Sequence, residues 1–127
     1  MSATVKESNL KSKREIMKIT TRDDAIPMKE VPNGAEVQMT AYVIEDVVKD
    51  RGSDATGEIF ECILVQDAEG NVYATRSATF IEKIRTIMKE LPDDEEVNLN
   101  FKEDPLLLRI TQQKSRNGNM FVSCSLA

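Results

Sequence analysis

The chain has 127 residues, 40% of them hydrophobic and 31% charged, with a net charge of −5. That length suits one domain with its own core. No apolar run reaches the roughly 20 residues that span a bilayer, and the opening residues lack the apolar stretch of a secretion signal, so a cytosolic protein without a membrane partner is expected. Histidine is absent, which removes the commonest general base and metal ligand.

Charge is uneven along the chain. Residues 1–22 hold six basic residues against two acidic ones, a net +4 that leaves −9 for the remainder. Residues 1–12 are polar and are expected to form a disordered arm. Lys13 to Thr20 contains Ile16, Met17 and Ile19 and predicts a short strand. Pro27 forbids a long helix after the turn at Thr21–Asp24, and Pro32-Asn33-Gly34 is a turn signal. A single domain is therefore expected over 13–127, with 13–35 as an N-terminal extension that covers a sheet edge or face.

Glu36 to Val48 alternates: Val37, Met39, Ala41 and Val43 point one way, Gln38, Thr40, Tyr42 and Ile44 the other. Val47 and Val48 after Glu45-Asp46 predict a phase slip there, and a bulge would let one strand bend across both halves of a barrel. Lys49 to Gly57 is a polar loop. Glu58 to Gln66 is a strand with apolar residues on both faces. Phe60, Cys62 and Leu64 share one, and Ile59, Glu61, Ile63 and Val65 share the other; the pattern leaves open which is core. Asp67–Asn71 turns the chain into Val72–Arg76.

Phe80 to Leu91 is the clearest helix, its apolar stripe running through Ile81, Ile84, Ile87 and Met88. Thr79 and Glu82 fit a capping box, and Pro92 stops the helix. Val97, Leu99 and Phe101 predict a further strand, which Pro105 forces to bend or restart at Leu106. Asn117-Gly118 signals a hairpin between Leu106–Lys114 and a last strand. In that strand Met120, Val122, Cys124 and Leu126 alternate with Phe121, Ser123 and Ser125.

The order strand-strand-strand-helix-strand-strand is how a small oligonucleotide/oligosaccharide-binding (OB) barrel is wired. The expected fold is therefore all-β: an OB-type Greek-key barrel with one plugging helix and the N-terminal extension. No phosphate-cradling Gly-Lys-Ser/Thr loop and no nucleophile elbow occurs. Asp93–Glu96 reads as a solvated turn, and Cys62 and Cys124 as buried free thiols. No enzyme, metal, cofactor or small-molecule substrate is expected.

A barrel of this kind binds single strands by stacking bases on aromatic faces and tracking the backbone with cations. With aromatics at 5%, direction decides each one. Phe80 and Phe101 lie on core stripes. Phe121, Tyr42 and Tyr73 lie opposite apolar faces and are candidate stacking rings; Phe60 stays undecided between core and groove. Lys49 and Arg51 after the first barrel strand, Lys114 and Arg116 in the last hairpin, and Arg76 ending the third strand are candidate phosphate contacts. The acidic balance also leaves open a barrel that binds a protein instead.

The stretch from about Val31 to Leu126 resembles the small single-stranded-DNA-binding proteins of tailed bacteriophages. The residues that carry the likeness are Pro32-Asn33-Gly34 with Glu36-Val37, Ile44-Glu45-Asp46-Val47, Gly70-Asn71-Val72-Tyr73-Ala74-Thr75 with Ser77, and the Gly118 hairpin before Phe121. The resemblance implies a barrel that coats single-stranded DNA during phage genome replication in the host cytoplasm, with replication proteins as possible partners. It carries a tyrosine contact onto Tyr73, and onto Tyr42 by position.

Overall fold

The computed structural model describes residues 2–48, 57–91, 101 and 103–127. Its strands are β1 (Ser2–Ser8), β2 (Ile26–Pro27), β3 (Glu36–Val48), β4 (Ile59–Asp67), β5 (Val72–Thr75), β6 (Leu106–Lys114) and β7 (Met120–Leu126). Helix α1 (Lys13–Thr20) precedes β2, a 3₁₀ turn covers Met28–Glu30, and α2 (Ala78–Glu90) follows β5. The seven strands form one sheet in the order β2-β5-β4-β3-β6-β7, with β1 paired to β3 off that path. The sheet is curled into a half-barrel. The predicted strand through Val97 and Leu99 lies outside the described residues.

β3 organises the sheet because it is long enough to serve three partners. Glu36–Met39 pairs with β6, Val43–Val48 pairs with β1 on that same edge, and β4 runs along the other edge. Between the two halves, Met39 pairs with Asp67 and Ala41 with Gln66, so Thr40 is an extra residue. This bulge is where the phase slips, five residues before the predicted position at Glu45. A one-residue slip sends every later side chain to the opposite face. Val37 and Met39 therefore share the inner core with Tyr42 and Ile44, while Ala41 and Val43 join a second cluster outside.

The bulge frees backbone groups that need partners. Asn9 supplies them, its Nδ2 donating to the Thr40 carbonyl at 3.2 Å and its Oδ1 accepting from the Tyr42 N–H at 2.9 Å. The Ser8 hydroxyl donates to the Tyr42 carbonyl at 2.7 Å. The N-terminal residues thus stitch the bend, and residues 2–8 form a strand rather than the expected disordered arm.

The inner face of the sheet packs Ile63, Val65, Leu108 and Ile110 against Phe80, Ile81 and Ile84 of α2 and against Phe101. Ser77, not the expected Thr79–Glu82 box, caps α2: its hydroxyl accepts from the Phe80 N–H at 3.3 Å and donates to the Val122 carbonyl at 2.5 Å. That second bond fixes the helix start against β7. Gln112 Nε2 donates to the Val31 carbonyl at 3.0 Å, tying the end of the 3₁₀ turn to β6.

Residues 13–20 are a helix, not the strand expected from Ile16, Met17 and Ile19. The Ser12 hydroxyl caps it by accepting from the Glu15 N–H at 3.4 Å. Ile16 and Ile19 stand three residues apart, the spacing that places both on one helical face, and Met17 is left exposed. Ile19, Ile16 and Leu10 cover Ala41, Val43, Leu64 and Val72 on the outer face of the sheet. The apolar residues on both sides of β4 are explained by this lid: the interior is on one side, α1 on the other.

Candidate nucleic-acid interface

Paired residues in an antiparallel ladder point to the same face. The outer face under α1 therefore continues from Val43 and Leu64 to the pairs Glu45–Cys62 and Val47–Phe60. Phe60 and Leu64 are four residues apart, roughly 13 Å along a strand, and α1 lies over the Leu64 end. On the neighbouring strand Ala74 pairs with Leu64. Arg76, two residues on, returns to the same side and lays its guanidinium over the Phe60 ring, 3.7 Å from the centroid.

Beside this pair lies an apolar hollow of about 360 Å³, walled by Pro27, Met28, Ala74 and Cys62 with Lys29 and Arg76. The parallel pairing of β2 with β5 holds Pro27 and the following 3₁₀ turn there. A ring carrying a stacked guanidinium is a flat, cationic platform. Next to a hollow with a second cation, it can take a base face and a nearby phosphate.

Burial raises the pKa of the Cys62 thiol, and the neighbouring Glu45 carboxylate adds to the shift while Arg76 opposes it. Cys62 is therefore a neutral wall of the hollow, not a nucleophile. Burial also raises the Glu45 carboxyl, and it pushes the Cys124 thiol in the inner core up to about 12.

Of the residues predicted as contacts, Phe60 and Arg76 come together. Tyr42 does not join them: at 7% exposure it belongs to the inner core, because the Thr40 bulge reverses its face. Tyr73 pairs with Val65 on the inner side of the sheet, packs against the core, and its hydroxyl donates to Asp67 at 3.3 Å. Burial and the Asp67 charge raise its pKa. Tyr73 opens onto a hollow of about 420 Å³ that also holds Glu36, Asp67 and Glu69, an acidic lining that repels phosphate.

Phe121 pairs with Gln113 on the outer side of β7 and is half-buried. Lys114 and Arg116 are exposed beside it at the hairpin tip, where Gly118 takes the positive φ of +84° that the turn requires. Lys49 and Arg51 lie outside the described residues. Sequence reasoning missed Lys29 and Glu45. Lys29 sits in a segment with no periodicity and reaches the hollow only through the β2–β5 pairing. Glu45 was hidden by the misplaced slip.

On the opposite side of the same strands, Arg85 of α2 bonds Glu7 of β1 at 2.7 Å, Glu82 at 2.9 Å and Glu61 of β4. Lys6 also reaches Glu61 at 3.2 Å. The Arg85 guanidinium, with Lys6 helping, lowers the Glu61 carboxyl from 4.5 to about 2. These cations are engaged by carboxylates and hold the helix to the sheet.

No protein-family model, curated protein or solved structure matches the chain. Among the described residues, no group of three or more acidic or cysteine side chains could hold a metal ion, and no helix is long and apolar enough to cross a membrane.

Proposed function

We propose that the protein is an OB-type barrel that binds single-stranded DNA without sequence-specific targeting, coating it during phage genome replication. The strand order β5-β4-β3-β6-β7 with α2 inserted between β5 and β6 supports the barrel reading. The carrying observation is the Arg76 guanidinium stacked on Phe60 beside an apolar, Lys29-flanked hollow. Bases stack on the platform, Arg76 and Lys29 neutralise phosphates, and Phe121 with Lys114 and Arg116 forms a second contact at the hairpin.

Anisotropy of a labelled oligo-dT, titrated at low salt and again at rising salt, tests the reading. Saturable binding that weakens with salt, with little competition from duplex, is expected. A barrel that binds a protein is the second reading, favoured by the net charge of −5 and by Ile59 of β4, 62% exposed. Absence of any oligo-dT response at low salt would select it.

A further inference from the structure

We infer that Glu45 is a base-reading residue of this surface, a carboxylate that accepts hydrogen bonds from the Watson–Crick edge of guanine. The inference rests on the single-strand reading and adds a base preference to it.

Glu45 is the only charged residue on the described part of the chain classed with the buried core, at 9% exposure. It stands on the outer face, flanked by Val5 of β1 and Cys62 of β4. Beyond Cys62 on the same side is Arg76, on its seat over Phe60. Among the described residues, no hydrogen bond or ion pair to the Glu45 side chain is formed, although Glu61 and Asp46 on the other face of the same strands are paired with Lys6. Every fully enclosed polar side-chain atom among the described residues has a hydrogen-bond partner, so the Glu45 carboxylate opens outward, toward whatever lies on the sheet. A carboxylate that meets water on its open side alone and has no protein partner is poorly satisfied; a donor arriving with a ligand supplies the missing bonds.

The donor has a definite chemistry. Glu45 stands one strand over and two residues along from Phe60, roughly 8 Å away, within reach of the edge of a base stacked on the Phe60–Arg76 platform. Guanine alone offers two adjacent donors there, N1–H and the N2 amino group, matching the two oxygens of a carboxylate. Cytosine and adenine offer one amino group beside an acceptor. Thymine offers N3–H between two carbonyl oxygens, which a carboxylate repels. A site with an unpaired acceptor discriminates strongly for the base that satisfies it.

The test uses the full chain and labelled oligonucleotides of one length: oligo-dT, the same strand with isolated dG residues, and that strand with inosine replacing dG. Inosine keeps N1–H and lacks the N2 amino group. The wild type is expected to bind the dG strand about tenfold more tightly than oligo-dT, with inosine between them. Glu45→Gln removes the charge that repels thymine, so it should tighten oligo-dT and lose most of the guanine preference. Equal wild-type affinity for the three strands overturns the inference, as does a folded Glu45→Gln protein that keeps the preference. The inosine series needs no variant and stands if Glu45→Gln fails to fold. Binding to oligo-dT without guanine preference sinks only the role of Glu45; no binding to any strand sinks the interface itself and Glu45 with it.

Discussion

Replacing Phe60 and Arg76, singly and together, separates the two parts of the platform. Phe60→Ala removes a stacking ring, which at single-strand sites is worth roughly 1–3 kcal/mol per base. Because Phe60 is half-buried beside Arg76, the lower half of that range is expected, about 1–2 kcal/mol, or a five- to thirtyfold weaker Kd. Arg76→Ala should cost about 1 kcal/mol and, if the guanidinium meets one phosphate, reduce the slope of log K against log salt by about 0.7. Phe60→Ala should leave that slope alone. The 3.7 Å stack predicts coupling: the double variant should lose about 0.5–1 kcal/mol less than the two singles added, since each single variant already spoils the other's geometry. Oligo-dT anisotropy at four salt concentrations measures all three quantities. An unchanged salt slope in Arg76→Ala, together with strictly additive losses, would refute the platform. Tyr42→Phe serves as the control and should bind as the wild type does, because its ring is in the core.

Deleting Thr40 should remove the bulge and leave Met39, Tyr42 and Ile44 in regular inward alternation; a folded protein is expected by circular dichroism, with stability lowered by about 1 kcal/mol through loss of the Asn9 bond to the Thr40 carbonyl. Arg85→Met leaves Glu7, Glu61 and Glu82 without their shared partner, and after allowance for solvent screening it should cost about 1–2 kcal/mol in urea unfolding. The same network sets an acid limit. The Glu61 carboxyl is depressed to about 2 in the fold from 4.5, so its stabilisation is complete above about pH 4.5 and is lost as pH falls toward 2; Glu61→Gln should flatten that part of the stability profile. Ser77→Ala removes the cap of α2 and its bond to β7 and should lower stability by about 1–2 kcal/mol.

The elements legible in the sequence are those whose signal is local. The α2 stripe, the turns at Gly70 and Gly118, and the alternation of β4 and β7 each follow from spacing within one segment, and the structure has them where the spacing places them. The Lys13–Thr20 segment failed because its apolar residues fit either period over so short a stretch. Only contact with Val43 and Leu64 shows which face is used. The site was half legible. Phe60 and Arg76 were recognisable by residue type, but their contact joins two strands, and no spacing reports it.

What the amino-acid order determined alone is the strands β3 to β7, the helix α2 and the chemical types available for contact. Tertiary structure decided the facing. One inserted residue at Thr40, held by Asn9 from a distant strand end, sends Tyr42 inward and Glu45 outward. A period of two carries no mark of where it is broken, because the residue that breaks it is satisfied by partners elsewhere in the chain.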